Sequence, residues 1–184
     1  MPKLIAICGV PGTGKTTLMR EWMSSRIWSE DKPVQLLDSH ISNDGIRVFG
    51  RYENGEIYAG TDRLSMAVMP TAIEYLRSEK DGEGVFVFEG DRLSSAKFFS
   101  AAQNMGYDVR IIILEVPETE RQARYGERAS TQNQKFIQGR VTKVENIKSE
   151  FGPSLYDPEG IIDVFDHSNS EDTKTVTDYI ESLV

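Results

Sequence analysis

The stretch GVPGTGKTT, Gly9–Thr17, decides the fold, and it lies between an apolar run and a helical pattern. It fits the spacing G-x-x-x-x-G-K-[ST], in which glycines let backbone N–H groups surround a phosphate. The lysine contacts the outer phosphates, the next hydroxyl binds Mg²⁺, and the following helix directs its positive end at the anion. The residues predicted to bind the nucleotide are Gly9, Gly12, Thr13, Gly14, Lys15, Thr16 and Thr17.

Short apolar runs alternate with helical patterns along the rest of the chain. The runs are rich in Val, Ile and Phe and have no polar face, which is typical of strands buried on both sides of a parallel sheet. The pattern predicts a three-layer α/β domain with a parallel sheet. The predicted strands are LIAIC (4–8), VQLLD (34–38), VFVFE (85–89), VRIIILEV (109–116) and IIDVF (161–165).

The composition is that of a soluble globular protein, and 184 residues suggest one domain, 1–184. No apolar run approaches the roughly 18 residues of a membrane span, and no feature indicates an obligate protein partner. A single cysteine, Cys8, permits no internal disulfide, so we expect a cytoplasmic protein with Cys8 buried.

The formal net charge is −8, which argues against a protein that coats nucleic acid. The segment 121–148 differs, because it holds seven cations and two carboxylates, a net +5. Such a segment indicates an anion site, or else an exposed charged helix face. Its residues Arg121, Arg124 and Arg128 lie on adjoining turns and could clamp phosphates, with Arg124 and Arg128 catalytic and Arg121 on the nucleotide.

Two carboxylates are predicted to follow strands at the edge of the sheet where Lys15 lies. Glu89 ends VFVFE and could hold Mg²⁺ together with Thr16. Asp38 ends VQLLD, and ligands of open α/β sheets bind beyond such strand ends. Each of the two could instead cap a helix. His40 and His167 are too few and scattered for a metal site. We expect both at the surface or in loops, although the loop DHSNSED, 166–172, could contact a nucleotide base.

The stretch RYENGEIYAGTDRLS, 51–65, interrupts the alternation, and its Asn-Gly pair predicts a β-hairpin inserted at about 46–61. A helix is expected over 62–79, kinked or broken at Pro70. Arginines and tyrosines alternate in the insert, so they could hold phosphates and stack on a base, or the rings could only anchor the hairpin. The predicted acceptor-binding residues are Arg47, Arg51, Tyr52, Tyr58, Asp62, Arg63 and Arg92.

These motifs resemble the P-loop nucleoside and nucleotide kinases of the adenylate-kinase type over almost the whole chain. The resemblance implies ATP and Mg²⁺ as cofactors and an arginine-bearing lid, which 121–140 matches. The family's acid-Gly-x-x-Arg stretch is matched in part, since Arg92 arrives one position early. Polynucleotide 5′-hydroxyl kinases place a catalytic aspartate where Asp38 stands, although their neighbouring Asp-Arg pattern is missing here.

The stretches GRYENG, GEIYAGTDRLSMAV and FIQGRVTKVENI resemble phage kinases that phosphorylate 5-hydroxymethyluracil in DNA. This resemblance implies DNA as the acceptor and, for a phage protein, the host cytoplasm as the location. A hydroxyl acceptor must lose a proton, and Asp38 is the expected general base, with Glu89 as the alternative. A kinase of free nucleosides or nucleotides, and a P-loop switch or hydrolase, remain open from the sequence.

Overall fold

The computed structural model describes residues 1–53, 59–127, 134–154 and 160–184. It has seven strands, β1 to β7, and six α-helices, α1 to α6, in this part of the chain. The strands are Lys3–Cys8, Trp28–Val34, Leu37–Ser42, Arg47–Phe49, Val85–Glu89, Asp108–Glu115 and Ile162–Asp166. The helices are Lys15–Met23, Val68–Glu79, Ala96–Asn104, Glu118–Glu127, Gln134–Phe151 and Ser170–Leu183.

The strands form one sheet in the order β2-β3-β4-β5-β1-β6-β7. The five strands from β4 to β7 in this order are parallel, whereas β2 and β3 are antiparallel to their neighbours. Because parallel strands end at the same edge, the residues after β5, β1, β6 and β7 lie together. This edge, called here the carboxyl edge, carries the phosphate loop.

Alternate residues of the central strands pack against opposite helical layers, as the period of two along a strand requires. Leu4 and Ala6 contact the cluster formed with α2, α3 and α5, whereas Ile5 and Ile7 contact the cluster formed with α1 and α6. The predicted three-layer α/β architecture is therefore confirmed.

The predicted strand at 34–38 is wrong. Val34 ends β2, Leu37 begins β3, and Leu36 has a φ of +68° in the turn between them. The run is apolar because this turn lies over the core, where Leu37 is fully buried and Val34 and Leu36 pack against it. An apolar turn and a short buried strand have the same composition, so the sequence pattern does not separate them.

The predicted hairpin at about 46–61 also needs correction. Arg47–Phe49 is β4, which pairs in parallel with β5 in the main sheet, and the hairpin of this region is β2–β3. Beyond β4 the chain returns, since Arg51 and Gly60 form an antiparallel bridge. The tip of the predicted hairpin, including Tyr58, lies outside the described residues.

The predicted helix over 62–79 is shorter than expected. Thr61–Arg63 forms one 3₁₀ turn, and α2 begins at Val68. The run is broken near Pro70, as expected, because α2 begins at Val68. Pro70 lies in the first turn of α2, where a proline removes no intrahelical hydrogen bond.

The segment after β4 packs closely on the carboxyl edge through two glycines. A Cβ on Gly50, whose φ is +114°, would lie 2.2 Å from the carbonyl carbon of Gly60. A Cβ on Gly60 would lie 2.7 Å from a carboxylate oxygen of Glu89. The backbone of Gly50 therefore packs on Gly60, and Gly60 packs on Glu89, at distances too short for a methyl group on either glycine.

Gly50→Ala is expected to destabilise the protein far more than Gly45→Ala. Both positions have positive φ, but a Cβ on Gly45 has no atom within 4 Å. Gly45→Ala therefore costs only the left-handed backbone strain, about 1–2 kcal/mol, and Gly50→Ala adds a clash of about 1–3 kcal/mol. Urea unfolding measures both, and equal losses would contradict the layered arrangement.

Candidate active site

The phosphate loop has the backbone that an anion cradle requires. Gly9, Gly12 and Gly14 have φ values of +144°, +85° and +88°. Gly14 precedes α1 and provides no side-chain cap, so the first N–H groups of the helix remain available to an anion. The ammonium of Lys15 donates to the carbonyl oxygens of Gly9 and Val10 at 2.9 and 3.2 Å. These residues fit a nucleotide phosphate chain.

Thr16 and Glu89 meet across the carboxyl edge. The Thr16 hydroxyl donates to Glu89 Oε1 at 2.8 Å. β5 lies beside β1 in the sheet, which brings the end of VFVFE next to the loop. A hydroxyl and a carboxylate side by side are oxygen donors of the kind Mg²⁺ prefers. The predicted pair of metal-binding residues therefore lies together beside the phosphate loop.

Glu89 is a buried acid, with 1% of its surface exposed. Burial raises the pKa of Glu89 to about 7, although the Lys15 charge and the Thr16 hydrogen bond oppose this rise. Gly60 covers the carboxylate from the insert side. A cation bound at Thr16 and Glu89 would hold this carboxylate ionised.

Asp38 lies at the carboxyl edge for a different reason than the sequence suggested. It is near the start of the antiparallel strand β3, opposite the end of β4, and its carbonyl accepts from the Gly50 N–H at 2.8 Å. Its carboxylate pairs with Lys32 at 3.0 Å and Arg51 at 2.7 Å. Burial disfavours its ionisation, but the hydrogen bonds from Lys32 and Arg51 outweigh burial and lower the pKa of Asp38.

Arg124 connects α4 to the phosphate loop. Its guanidinium donates to the Gly12 carbonyl at 3.2 Å and to the carbonyls of His167 and Ser168 at 3.2 and 3.1 Å. It also pairs with Glu120 on its own helix. Among the predicted arginines of the lid, Arg124 therefore lies directly at the loop.

Comparison with known proteins identifies the family. Residues 1–176 match the family model described as P-loop Nucleotide Kinase3. This chain belongs to that family. It is therefore an ATP-dependent phosphotransferase of the P-loop kinase type, and P-loop kinases generally use ATP with Mg²⁺. No curated protein matches the chain by sequence.

One solved structure, a sugar kinase, is similar to this chain in fold, and two other kinases match over almost the whole of both chains. A sugar kinase from Janibacter sp. HTCC2649 is 12% identical, covers 98% of this chain and 95% of its own, and has a TM-score of 0.53. A gluconokinase from Sinorhizobium meliloti 1021 is 10% identical over 99% of this chain and 97% of its own, with a TM-score of 0.48. A shikimate kinase from Bacteroides thetaiotaomicron is 12% identical over 98% and 97%, with a TM-score of 0.42.

The other residues predicted to contact the nucleotide lie in different environments. Thr13 is fully buried and bonds to the Val10 carbonyl, whereas Thr17 is exposed on α1. Arg121 lines a cavity of about 380 Å³ beside Val10. The Nε of Arg121 is buried and finds no hydrogen-bond partner among the described residues. Arg128 and the tip of the predicted lid at 121–140 lie outside the described residues.

Two acceptor-side predictions have placements that differ from what we expected. Arg47 begins β4, pairs with Asp31 and lies over the Tyr75 ring beneath α2, away from the site. The hydroxyl of Tyr52 is buried, and its ring contacts His40 and is partly buried against the cluster formed with α1 and α6. Burial, and then the charges of Glu89 and Asp62, raise the pKa of Tyr52 well above its usual value.

The other acceptor-side predictions do lie around Glu89. The Asp62 carboxylate accepts from the Asp91 N–H at 2.7 Å. Arg63 is exposed in the same 3₁₀ turn, and Arg92 follows Asp91 in the loop after β5. The Nε of Arg92 is buried without a hydrogen-bond partner in the described part of the chain.

Sequence reasoning missed two features of the site. His167 lies in the loop between β7 and α6, as one expectation had it, but it is only 4% exposed, and its Nδ1 lies 2.7 Å from the Thr13 carbonyl oxygen. Asp91 pairs with Arg140 and Lys143 of α5, and the latter contact is 2.9 Å. The position of His167 directly after β7 was the one sequence signal that could have placed it at the site. The ion pairs of Asp91 join residues too distant in sequence to be predicted.

Two further expectations concern the whole chain. Cys8 is buried, as expected, and burial raises the pKa of its thiol to about 11. Within the described ranges, no helix is both long and apolar enough to cross a membrane.

Glu89→Gln is expected to change how stability depends on pH in the ligand-free protein. Its ordinary pKa is 4.5 and burial raises it to about 7, so the folded state binds more protons between these values. The free energy of unfolding therefore falls as pH rises from 4.5 to 7. Glu89→Gln removes this component, on the order of a few kcal/mol.

Urea unfolding at several pH values measures the difference between the wild type and Glu89→Gln. The matched control is Glu83→Gln, because Glu83 is exposed at the opposite end of β5. A difference from the wild type that is constant across this pH range would contradict a buried Glu89.

Proposed function

We propose that this kinase transfers the γ-phosphate of ATP to the hydroxymethyl group of 5-hydroxymethyluracil in DNA. Membership in a nucleotide kinase family supports the donor and the transfer. The acceptor is supported by the resemblance of three stretches, GRYENG, GEIYAGTDRLSMAV and FIQGRVTKVENI, to phage kinases of that base. This acceptor is an alcohol, which fixes the chemistry the site must perform.

The observation that supports the proposal is that two carboxylates, Asp38 and Glu89, lie at the carboxyl edge. An alcohol must lose its proton as the phosphoryl group arrives, and a carboxylate within reach contributes about 10²–10⁴ in rate. A nucleoside monophosphate acceptor is already ionised and needs only cations. Asp38 and Glu89 at the carboxyl edge therefore favour a hydroxyl acceptor.

The two carboxylates have different roles in this proposal. Glu89 bonds to Thr16 and would hold Mg²⁺ with it. Asp38 is kept ionised by Lys32 and Arg51, so it can accept the acceptor proton at neutral pH. Glu89 is the alternative base because β5 adjoins β1, whereas β3 is two strands further along the sheet.

The cations of the site fit a polyanionic donor and acceptor. Lys15 and Arg124 would hold the ATP phosphates, as cations that stabilise the migrating group. For the acceptor, Arg63 and Arg92 would contact DNA phosphates. Arg51 would do the same once its ion pair with Asp38 is broken. Each such contact would make DNA binding depend on salt.

A kinase of free nucleotides is the second candidate, and one observation favours it. The chain has a net charge of −8, which opposes binding to a long polyanion. A free nucleotide carries few charges and would be repelled less. The two candidate functions are distinguished by which acceptor, modified DNA or a free nucleotide, the enzyme phosphorylates.

Transfer of labelled γ-phosphate from ATP tests the proposal directly. The acceptors compared at low salt are an oligonucleotide with 5-hydroxymethyluracil, the same oligonucleotide with thymine, and free 5-hydroxymethyl-dUMP. We expect label only on the modified oligonucleotide, and none with Lys15→Ala, which removes the charge that stabilises the γ-phosphate. Efficient labelling of the free nucleotide with no labelling of modified DNA would contradict the DNA acceptor.

The same assay tests the general base. Asp38→Asn keeps the shape but cannot take the proton, so we expect transfer to fall by roughly 10²-fold with ATP affinity unchanged. Lys32→Gln is the matched control, since it removes one partner of Asp38 and leaves the carboxylate. Near-native transfer by Asp38→Asn would assign the base to Glu89 or to chemistry without a base.

A further inference from the structure

His167 is a buried side chain in a loop at the surface. Only 4% of its surface is accessible, whereas Asp166 and Asn169 in the same loop are exposed. The Nδ1 of the ring lies 2.7 Å from the Thr13 carbonyl oxygen, and its Nε2 lies 3.0 Å from the Thr173 hydroxyl. The ring therefore joins the phosphate loop to α6.

The partners of the ring decide which nitrogen carries the proton. A carbonyl oxygen only accepts hydrogen bonds, so Nδ1 is the donor to Thr13. The Thr173 hydroxyl can then donate to Nε2 of the neutral ring. Both nitrogens have a partner in this tautomer, so the imidazole of His167 is buried without an unsatisfied polar atom.

The hydrogen bond from Nδ1 orients one peptide group of the phosphate loop. The peptide between Thr13 and Gly14 is trans, so the Thr13 carbonyl and the Gly14 N–H point in opposite directions. Because the carbonyl points at His167, the Gly14 N–H points away from the ring. The N–H groups of a P-loop cradle the phosphates, and an N–H with this orientation is available to them.

The ring also packs against the loop. A Cβ on Gly14 would lie 2.7 Å from Cε1 and from Nδ1 of His167, so the ring is in contact with the Gly14 backbone. The backbone of His167 is anchored separately, because its N–H donates at 2.9 Å to the carbonyl of Glu115 at the end of β6. These contacts hold the imidazole beside the Thr13–Gly14 peptide.

Arg124 makes the neighbouring contact with the loop but differs from His167 in character. Its guanidinium donates to the Gly12 carbonyl and to the carbonyls of His167 and Ser168. Arg124 is charged and half-buried, so it can exchange these carbonyls for a phosphate. The His167 ring is buried and bonded at both nitrogens, so its effect on a nucleotide must pass through the backbone of the loop.

We propose that His167 is a positioning residue for ATP, whose Nδ1–H holds the Thr13–Gly14 peptide so that the Gly14 N–H faces the phosphates. A donor that is fixed before the nucleotide arrives needs no reorganisation when the phosphate chain binds. The inference concerns the donor of this kinase, and it is independent of which acceptor is phosphorylated.

Asparagine and glutamine at position 167 separate the two hydrogen bonds of the ring. The amide nitrogen of asparagine is two bonds beyond Cβ, like Nδ1, so His167→Asn keeps a donor for the Thr13 carbonyl. In His167→Gln the nitrogen is three bonds beyond Cβ, like Nε2, so the contact with Thr13 is lost. The matched control is Thr173→Val, which removes the Nε2 contact and leaves the Nδ1 contact.

Calorimetric titration with ATP in Mg²⁺ measures the affinity for the donor without an acceptor. We expect His167→Gln to raise the Kd for ATP by about 3- to 10-fold, the effect of one hydrogen bond. His167→Asn and Thr173→Val should bind ATP within about 2-fold of the wild type. All three variants should have a lower melting temperature than the wild type, because each breaks a buried hydrogen bond.

The wild-type protein provides a measurement that does not depend on how the variants fold. The chain has two histidines, so NMR of isotope-labelled histidine gives the ring signals of only two residues, and His40→Asn assigns them. We expect the neutral His167 ring to carry its proton on Nδ1, both without nucleotide and with ATP at saturation.

Three results would overturn the inference. Equal losses of ATP affinity in His167→Asn and His167→Gln would show that the ring only fills space. A loss in Thr173→Val as large as that in His167→Gln would show that the effect comes from α6. A neutral ring with its proton on Nε2 in the ATP complex would show that the Thr13 carbonyl is released when ATP binds.

Discussion

The hydrogen bond between Thr16 and Glu89 is the contact on which the rest of the site depends. It exists because β5 lies beside β1, so that Ile7 and Glu89 are neighbours in the sheet and the two strand ends share one edge. Burial of Glu89 makes this contact costly to lose, since an isolated buried carboxylate is strongly disfavoured. The loop and the acid must therefore be considered as one unit.

The segment between β4 and α2 completes this unit by enclosing it. Gly60 lies against the Glu89 carboxylate, and Gly50 lies against Gly60, so the segment reaches the acid through backbone alone. Asp62 then holds the loop after β5 through the Asp91 N–H. In this arrangement the segment between β4 and α2 shapes the surroundings of the acid.

Local sequence patterns predicted the parts of the fold that depend on local physics. The glycine spacing of the loop and the apolar run ending at Glu89 need no knowledge of distant residues, and both were located correctly. The apolar stretch at 34–38 was predicted as a strand but contains a turn, because a buried apolar composition does not show whether the backbone continues straight or reverses. The burial of Tyr52 and the Asp91–Arg140 pair arise from contacts between segments distant in sequence, which no periodicity encodes.

The most direct test of the account is the Mg²⁺ dependence of ATP binding by Thr16→Val, Glu89→Gln and the double variant. Calorimetric titration with ATP, in Mg²⁺ or in EDTA, gives the gain in affinity due to the metal. The account predicts that each single variant loses most of this gain and that the double variant loses little more, because the two residues act together. A gain that survives in both single variants, or losses that simply add, would contradict it.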